Sequence, residues 1–313
     1  MKAVVRSKYG LAEVLEVKDV ERPVPKVKEL LVRVHATTVN RSDIHVLTGK
    51  PFFMRFFTGL TSPTLRITGS DFAGQVEATG ANAKRFKTGD RVMGFIDMGA
   101  QSHAEYLTID ESKVVPMPAN ATFEQAAACL EGAFYAISGI QLVNPTSSQN
   151  ALVIGGTGAI GSSYIQFLKN YGTPITAVCG REHAPLVQSL GASRIIDYHT
   201  EDFTKIKEQF DLILDAVGKT TFNKCKHLLK PGGIFCSAQP GFITAFLTSF
   251  GANKKEIVAI PKNLIGNLNH IRTLFEEGKF VPVIDRKYSL EQIADAYTYV
   301  ASGQKVGNVI ITI

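Results

Sequence analysis

Cysteine is scarce in this sequence, and what there is sits badly for metal binding. The chain has four, Cys129, Cys179, Cys225 and Cys236, and none precedes position 129. No two have the close pairing that zinc sites use. Three fall on stretches that read as strand or helix, which fits reduced thiols in a cytoplasm better than a disulfide framework. A secretory leader of basic, apolar and small residues is missing. No apolar run approaches the roughly 18 residues needed to span a bilayer. No membrane partner is therefore expected. Repeats and low-complexity linkers are lacking too. Charge is not piled up on one sign: 34 Lys and Arg face 28 Asp and Glu, a net of +6 spread along the chain. That is too mild and dispersed to call for nucleic acid.

What is present is clearest in mid-chain. Ala151-Leu-Val-Ile-Gly-Gly-Thr-Gly-Ala-Ile-Gly161 runs directly into Ser162-Ser-Tyr-Ile-Gln-Phe-Leu-Lys-Asn-Tyr-Gly172. A short apolar strand, a glycine turn and a helix follow without a gap. Gly156, Gly158 and Gly161 have the G-x-G-x-x-G spacing, with Thr157, Ala159 and Ile160 between them. Such a turn lets backbone approach a pyrophosphate at the helix N-terminus, where N–H groups and the helix dipole favour an anion. The helix rests on Ile160, Tyr164, Phe167, Leu168 and Tyr171, which share one face. A lone glycine fingerprint also occurs in structural turns; the strand–turn–helix setting points to a dinucleotide. An anionic cofactor and a solvated surface then account for the mild positive charge.

The alternation continues. Ile175–Cys179, Arg194–Tyr198, Phe210–Val217 and Ile234–Ala238 read as strands, with helices at Ala184–Leu190 and near Thr221–Leu229 and a turn at Lys230–Gly233. Near-continuous apolar strands separated by helices imply a parallel sheet covered on both faces. At 313 residues the chain exceeds a single core, and two domains are expected. An apolar share of 45% and a charged share of 20% are ordinary for a globular protein. The first third has short strands (Ala3–Val5, Leu30–Val34, Phe72–Val76), and Thr88–Phe95 adds a turn and another strand, the spacing of a barrel-like β domain split by turn residues. The far end returns to that style, with a capping box at Ser289–Gln292, a helix to Gly303 and a strand at Val309–Ile313.

Several of these segments together resemble the medium-chain dehydrogenase/reductase superfamily. They are Gly69-Ser-Asp-Phe-Ala-Gly74, Gly89-Asp-Arg-Val-Met-Gly94, Gly99-Ala-Gln-Ser-His-Ala-Glu-Tyr106, the glycine loop, Phe210–Gly218, Leu229–Gly233 and the closing Ser289–Gly303. The resemblance spans essentially the whole chain. It implies an α/β fold with a GroES-like β-barrel catalytic domain plus a Rossmann domain, a doubly wound parallel sheet. The expected boundaries are 1–122 for the catalytic domain, 123–262 for the NADPH-binding domain, and 263–313 for a return segment completing the first. Zinc-dependent members carry Cys and His where this chain has Asn40 and Ser70, and their third ligand position falls at Glu131. An amide and a hydroxyl are poor substitutes for thiolate and imidazole, so no metal is expected. The chain resembles instead the zinc-free quinone oxidoreductase and enone reductase branch.

The same resemblance implies site residues. Asn40-Arg-Ser-Asp43 matches an Asn-x-x-Asp pattern beside the nicotinamide, while locally it reads equally as an Asx turn. His45 stands where some relatives place a tyrosine over the pocket, or is simply an exposed histidine. Tyr135 takes the place of a cofactor-contacting threonine, or fills core space. The cofactor loop would extend to Val217, Gly218 and Ala238. After the second strand, Gly180 leaves room and Arg181 can fork a 2′-phosphate, with Tyr198 donating to it. This favours NADPH. Glu182 argues the other way, and Arg181 also reads as a solvated helix-start residue. Relatives often have Gly-Lys before the last strand; this chain has Gly307-Asn308.

The expected activity is NADPH-dependent hydride transfer to a quinone or an α,β-unsaturated carbonyl compound, by a cytoplasmic homodimer. The alternatives are a zinc-type alcohol dehydrogenase and a non-catalytic NADPH-binding sensor or RNA-associated relative. Two apolar stretches stay open. Pro51–Phe57 is a pocket wall or lid, or packing under a long loop; Gly241–Gly251 carries no charge and lies near the expected cleft or subunit region.

Overall fold

The computed structural model describes residues 1–97, 99–237, 245, 253–259 and 262–313, which form two units. The first holds Met1–Glu131, Leu268–Glu276 and Val283–Ile313; the second holds Gly132–Asn267 and Glu277–Pro282.

Glu29-Leu-Leu-Val-Arg-Val-His-Ala-Thr-Thr-Val39 is rich in β-branched and apolar residues, and it forms an 11-residue strand around which the first unit is built. Register shifts after Leu31 and Val34 bend it, so it pairs with three partners. Tyr106–Asp110 takes its first half, Asn308–Thr312 takes Ala36 to Val39, and Asp71–Thr79 runs along the other edge. Arg91–Phe95, Val114–Pro116 and Ile284–Ser289 complete a seven-stranded sheet. Leu30, Val32 and Val34 pack with Phe72, Val76, Val92, Leu107, Ile109 and Val114, all buried. Val39 joins a second cluster with Leu47, Ile293, Tyr297, Val300 and Val309. The long strand is thus buried on both faces, which explains why its apolar residues do not alternate strictly.

The second unit is a six-stranded sheet in the order Arg194–Asp197, Ile175–Cys179, Ala151–Ile154, Phe210–Asp215, Leu229–Ser237, Lys255–Val258. Every pairing is parallel. Numbered along the chain this is 3-2-1-4-5-6, which reverses between Ala151–Ile154 and Phe210–Asp215; ligands of open parallel sheets bind at such a reversal.

Some local expectations change. Lys230–Gly233 is no separate turn but an outward loop inside the strand Leu229–Ser237: Phe210 pairs with Leu229, and Leu212 next pairs with Ile234. The helix near Thr221 shrinks to Phe222–Cys225 plus a 3-10 turn at Lys226–Leu228. The helix Ala159–Asn170 is covered well beyond the one expected stripe. Gly161 to Leu168 are all buried, whereas Tyr171 is 43% exposed. One stretch, Phe123–Val143, is long and apolar enough to cross a membrane, contrary to the sequence reading. It is 83% buried in protein and serves as core. Ala238 and all of Gly241–Gly251 except Ala245 lie outside the described residues.

Candidate functional site

In the first unit the strand Glu29–Val39 ends at Asn40, which caps the helix Arg41–Thr48. Asn40 and Asp43 form a capping box, in which the Asn40 backbone N–H donates to Asp43 Oδ2 at 2.8 Å. Asn40 thus starts the helix through its backbone, while its side chain is turned to other partners. The Asn40 side chain is buried, and its amide donates to Thr38 Oγ1 at 2.6 Å and to Asp71 Oδ2 at 3.2 Å. Thr38 in turn gives Asp71 its backbone N–H at 3.0 Å and its hydroxyl at 2.8 Å. Asp71 is fully buried, so each of its oxygens needs these donors.

Glu131 closes the group. Ser42 Oγ donates to Glu131 Oε1 at 2.7 Å and lies 2.8 Å from Oε2, to which Ser70 Oγ also donates at 3.2 Å. Three carboxyl groups therefore share one buried polar region, and burial is the main force on each. Asp71 is pushed up to about 6 from 3.8, against the hydrogen bonds of Thr38. Glu131 is pushed up to about 7 from 4.5, with Asp71 and Asp97 adding repulsion and Ser42 opposing. Asp43 is held well above its ordinary value by burial and by Glu131. The half-buried Lys305 offsets some of this charge; its Nζ donates to Gly307 O at 2.8 Å. Sequence reasoning treated Ser70, Asp71 and Glu131 only as failed metal positions and passed over Ser42 and Thr38. No spacing rule links residues 38, 42, 70, 71 and 131; only the fold does.

His103 ties the same region together. Its Nε2 lies 2.9 Å from the Thr38 carbonyl, so that nitrogen carries the proton, and Nδ1 accepts from Thr68 Oγ1 at 2.9 Å. Burial lowers its pKa to about 4, leaving a neutral ring. His45 is placed differently. Its Nδ1 faces the Lys50 carbonyl at 3.0 Å beyond its own helix, leaving only Nε2 for any other partner. Tyr135 lies in the second unit, on the helix Glu131–Val143, edge-on to Phe134.

The donor set does not fit zinc. An amide engaged with a carboxylate, a serine hydroxyl and a glutamate offer neither thiolate nor imidazole. Among the described residues no group of three His, Cys, Asp or Glu is close enough to hold a metal.

The second unit has a cradle that does fit a dinucleotide. Gly155, which the spacing argument did not single out, turns the chain at φ +79. A Cβ on Gly161 would sit 2.1 Å from the Gly155 carbonyl, so that glycine lets helix and turn touch. A Cβ on Gly158 would meet nothing nearer than 3.8 Å, so space lies open above the helix N-terminus. Thr157, Ala159 and Ile160 complete the turn into the helix Ala159–Asn170. Val217 and Gly218 join it, because a Cβ on Gly155 would fall 2.0 Å from Val217 Cγ2. Their N–H groups donate to Asp215 Oδ1 at 3.0 and 2.9 Å.

At the ends of the neighbouring strands stand Gly180, Arg181 and Tyr198. Arg181 is 84% exposed and makes one loose contact, 3.7 Å to Asp197 Oδ2. Tyr198 is 54% exposed, its ring 4.2 Å from His199. The Glu182 carboxylate folds over Gly180, where a Cβ would meet it at 2.4 Å, with His183 Nε2 3.4 Å away.

Comparison with known proteins agrees on both units. The profile of the alcohol dehydrogenase GroES-like domain matches residues 26–119, and that of the zinc-binding dehydrogenase family matches residues 190–311. A 2-methylene-furan-3-one reductase of Solanum lycopersicum is 31% identical over 99% of this chain and 79% of its own length. An NADPH-dependent alkenal/one oxidoreductase, chloroplastic, of Arabidopsis thaliana is 30% identical with the same coverage. The solved quinone oxidoreductase of Coxiella burnetii superposes with a TM-score of 0.87 at 24% identity, covering 100% of this chain and 99% of that one.

Proposed function

The chain belongs to the medium-chain dehydrogenase/reductase superfamily, in its zinc-free quinone oxidoreductase branch, and we propose that it uses NADPH to reduce quinones or α,β-unsaturated carbonyl compounds. It is an oxidoreductase that takes a nicotinamide cofactor. The observation that carries this reading is the glycine turn, open at Gly158 and set where the sheet order reverses.

The bound nicotinamide supplies the hydride, and the chain supplies position and hydrogen bonds. Backbone at Gly156 to Gly161 takes the pyrophosphate; Arg181 leaves its loose contact with Asp197 for the 2′-phosphate, and Tyr198 donates to it. Asn40 is held by Asp71 and Thr38 and orients the reacting ring. Asp43 fixes the Asn40 backbone, so its part is positioning. Glu131 accepts from Ser42 Oγ, and burial pushes its carboxyl up to about 7, so near neutral pH it both binds and releases a proton. The product anion of a quinone or enone is delocalised, so the reaction needs no stronger acid.

The test is a panel of quinones and enones with NADPH. Wild-type protein should turn over at least one class, and Asn40→Ala should lower that turnover by roughly tenfold while cofactor affinity holds. Wild-type rates in the variant would make Asn40 only a helix cap; no turnover by wild type would favour a non-catalytic binding protein.

Cofactor choice has its own test. Arg181→Ala removes a charge-assisted hydrogen bond of about 1.5–3 kcal/mol, so NADPH affinity should fall about 10- to 100-fold and NADH affinity should hardly move. Equal losses in calorimetric titrations would take Arg181 out of the phosphate site.

A further inference from the structure

Phe52–Met54 and Arg55–Thr58 form one continuous helical run, because Met54 and Arg55 both keep helical dihedrals at the junction. Phe52, Phe53, Phe56 and Phe57 recur on one side of it. They are 64%, 49%, 67% and 66% exposed, and Leu60 just beyond is 56% exposed. The reading of this stretch as packing under a loop is therefore wrong. Monomers seldom leave so continuous an apolar patch in water without a use for it.

The run is turned inside out. Its one buried residue is polar: Thr58 Oγ1 lies 2.8 Å from the Tyr9 hydroxyl and donates to Met54 O at 3.0 Å. The Tyr9 hydroxyl reaches the Gly59 carbonyl at 2.5 Å, and Arg55 lies over the Tyr9 ring at 4.5 Å. Polar contacts tie the run to the body, and the aromatic side faces out. Core packing demands the reverse.

We propose that this surface docks the chain onto an anionic lipid bilayer. Between Ile44 and Ser70 there is no Asp or Glu, while Lys50, Arg55 and Arg66 are present; Lys50 and Arg66 are exposed, as is Lys8 beside Tyr9. Phenylalanine and leucine on the apolar side of an interfacial helix bury at the headgroup–acyl boundary, and lysine and arginine are drawn to anionic headgroups. A second copy of the chain fits less well, since a two-fold contact would set these cations against their own counterparts. The inference does not depend on the reading of the chemistry. With that reading, docking would bring the enzyme to acceptors dissolved in lipid.

Co-sedimentation of the full chain with phosphatidylcholine vesicles, with and without phosphatidylglycerol, tests this. The chain should pellet with the anionic vesicles and be released by salt. Replacing both rings (Phe56→Ser with Phe57→Ser) or both cations (Lys50→Glu with Arg66→Glu) should weaken binding at least about tenfold. The melting temperature and the KM for a water-soluble acceptor should stay in place. Absence of pelleting, or undiminished pelleting of the ring variant, overturns the proposal. So does a raised KM with unchanged lipid binding, which would make the rings a substrate wall. A wild-type dimer that the ring variant dissociates, without lipid binding, assigns the patch to a second copy instead.

Discussion

Gly158→Ala should leave the melting temperature where it is and still cost the protein about tenfold or more in dinucleotide affinity, whereas Gly161→Ala should damage both. The two glycines look alike in the fingerprint but differ in what surrounds them. At Gly158 a methyl group enters empty space, 3.8 Å from the nearest atom, and φ −70 suits any residue. Only an arriving pyrophosphate would meet it. At Gly161 the same methyl group collides with backbone, the Gly155 carbonyl at 2.1 Å and Gly156 Cα at 3.0 Å. Backbone cannot step aside as a side chain does, so the helix must shift, at about 1–3 kcal/mol. Thermal melts and fluorescence titration with NADPH and NADH check both halves. Full affinity in Gly158→Ala would mean that no phosphate approaches that position.

Asp71→Ala should be the most destabilising single change in the first unit, by about 3 kcal/mol or more. It leaves the Thr38 N–H, the Thr38 hydroxyl and one Asn40 amide proton facing a buried void. Asp71→Asn keeps volume and an acceptor and should cost much less. It should also change the pH dependence. The folded-state values, about 6 for Asp71 and about 7 for Glu131, lie above the ordinary 3.8 and 4.5. The folded state then binds more protons than the unfolded chain across that window. The contribution of these groups is full below about pH 4 and is lost as pH rises through 6 and 7. For Asp71 alone this is on the order of 3 kcal/mol. Urea unfolding should show wild-type stability falling over that range, with Asp71→Asn flattening the lower part. A wild type whose stability stays flat over that range would mean that both carboxyls ionise at ordinary values.

The second unit was largely legible in the sequence because its signals are local. Glycines fix the turn, apolar runs fix the strands, and Gly191 and Ser289 mark where helices stop and start. The outward loop at Lys230–Gly233 escaped because Pro-Gly-Gly looks the same in a turn and inside a bulged strand. The first unit was legible in class but not in chemistry. Asn40 could be singled out, yet its partners Thr38 and Asp71 and the Ser42–Glu131 pair are joined only by tertiary contact. The exposed rings at 52–57 were ambiguous for a related reason, since apolar composition alone does not say which way a helix faces.

The bent strand Glu29–Val39 also sets a schedule. Val39, one residue before Asn40, is paired with Val309, so the end of the strand that leads into the helix Arg41–Thr48 has an open flank until the strand Asn308–Thr312 has been synthesised. The whole parallel sheet, Ala151 to Val258, leaves the ribosome before that strand does. During translation the nucleotide-binding half can therefore be complete while the other half waits with an unpaired β edge, the arrangement in which nascent chains are most exposed to mispairing and most in need of a chaperone.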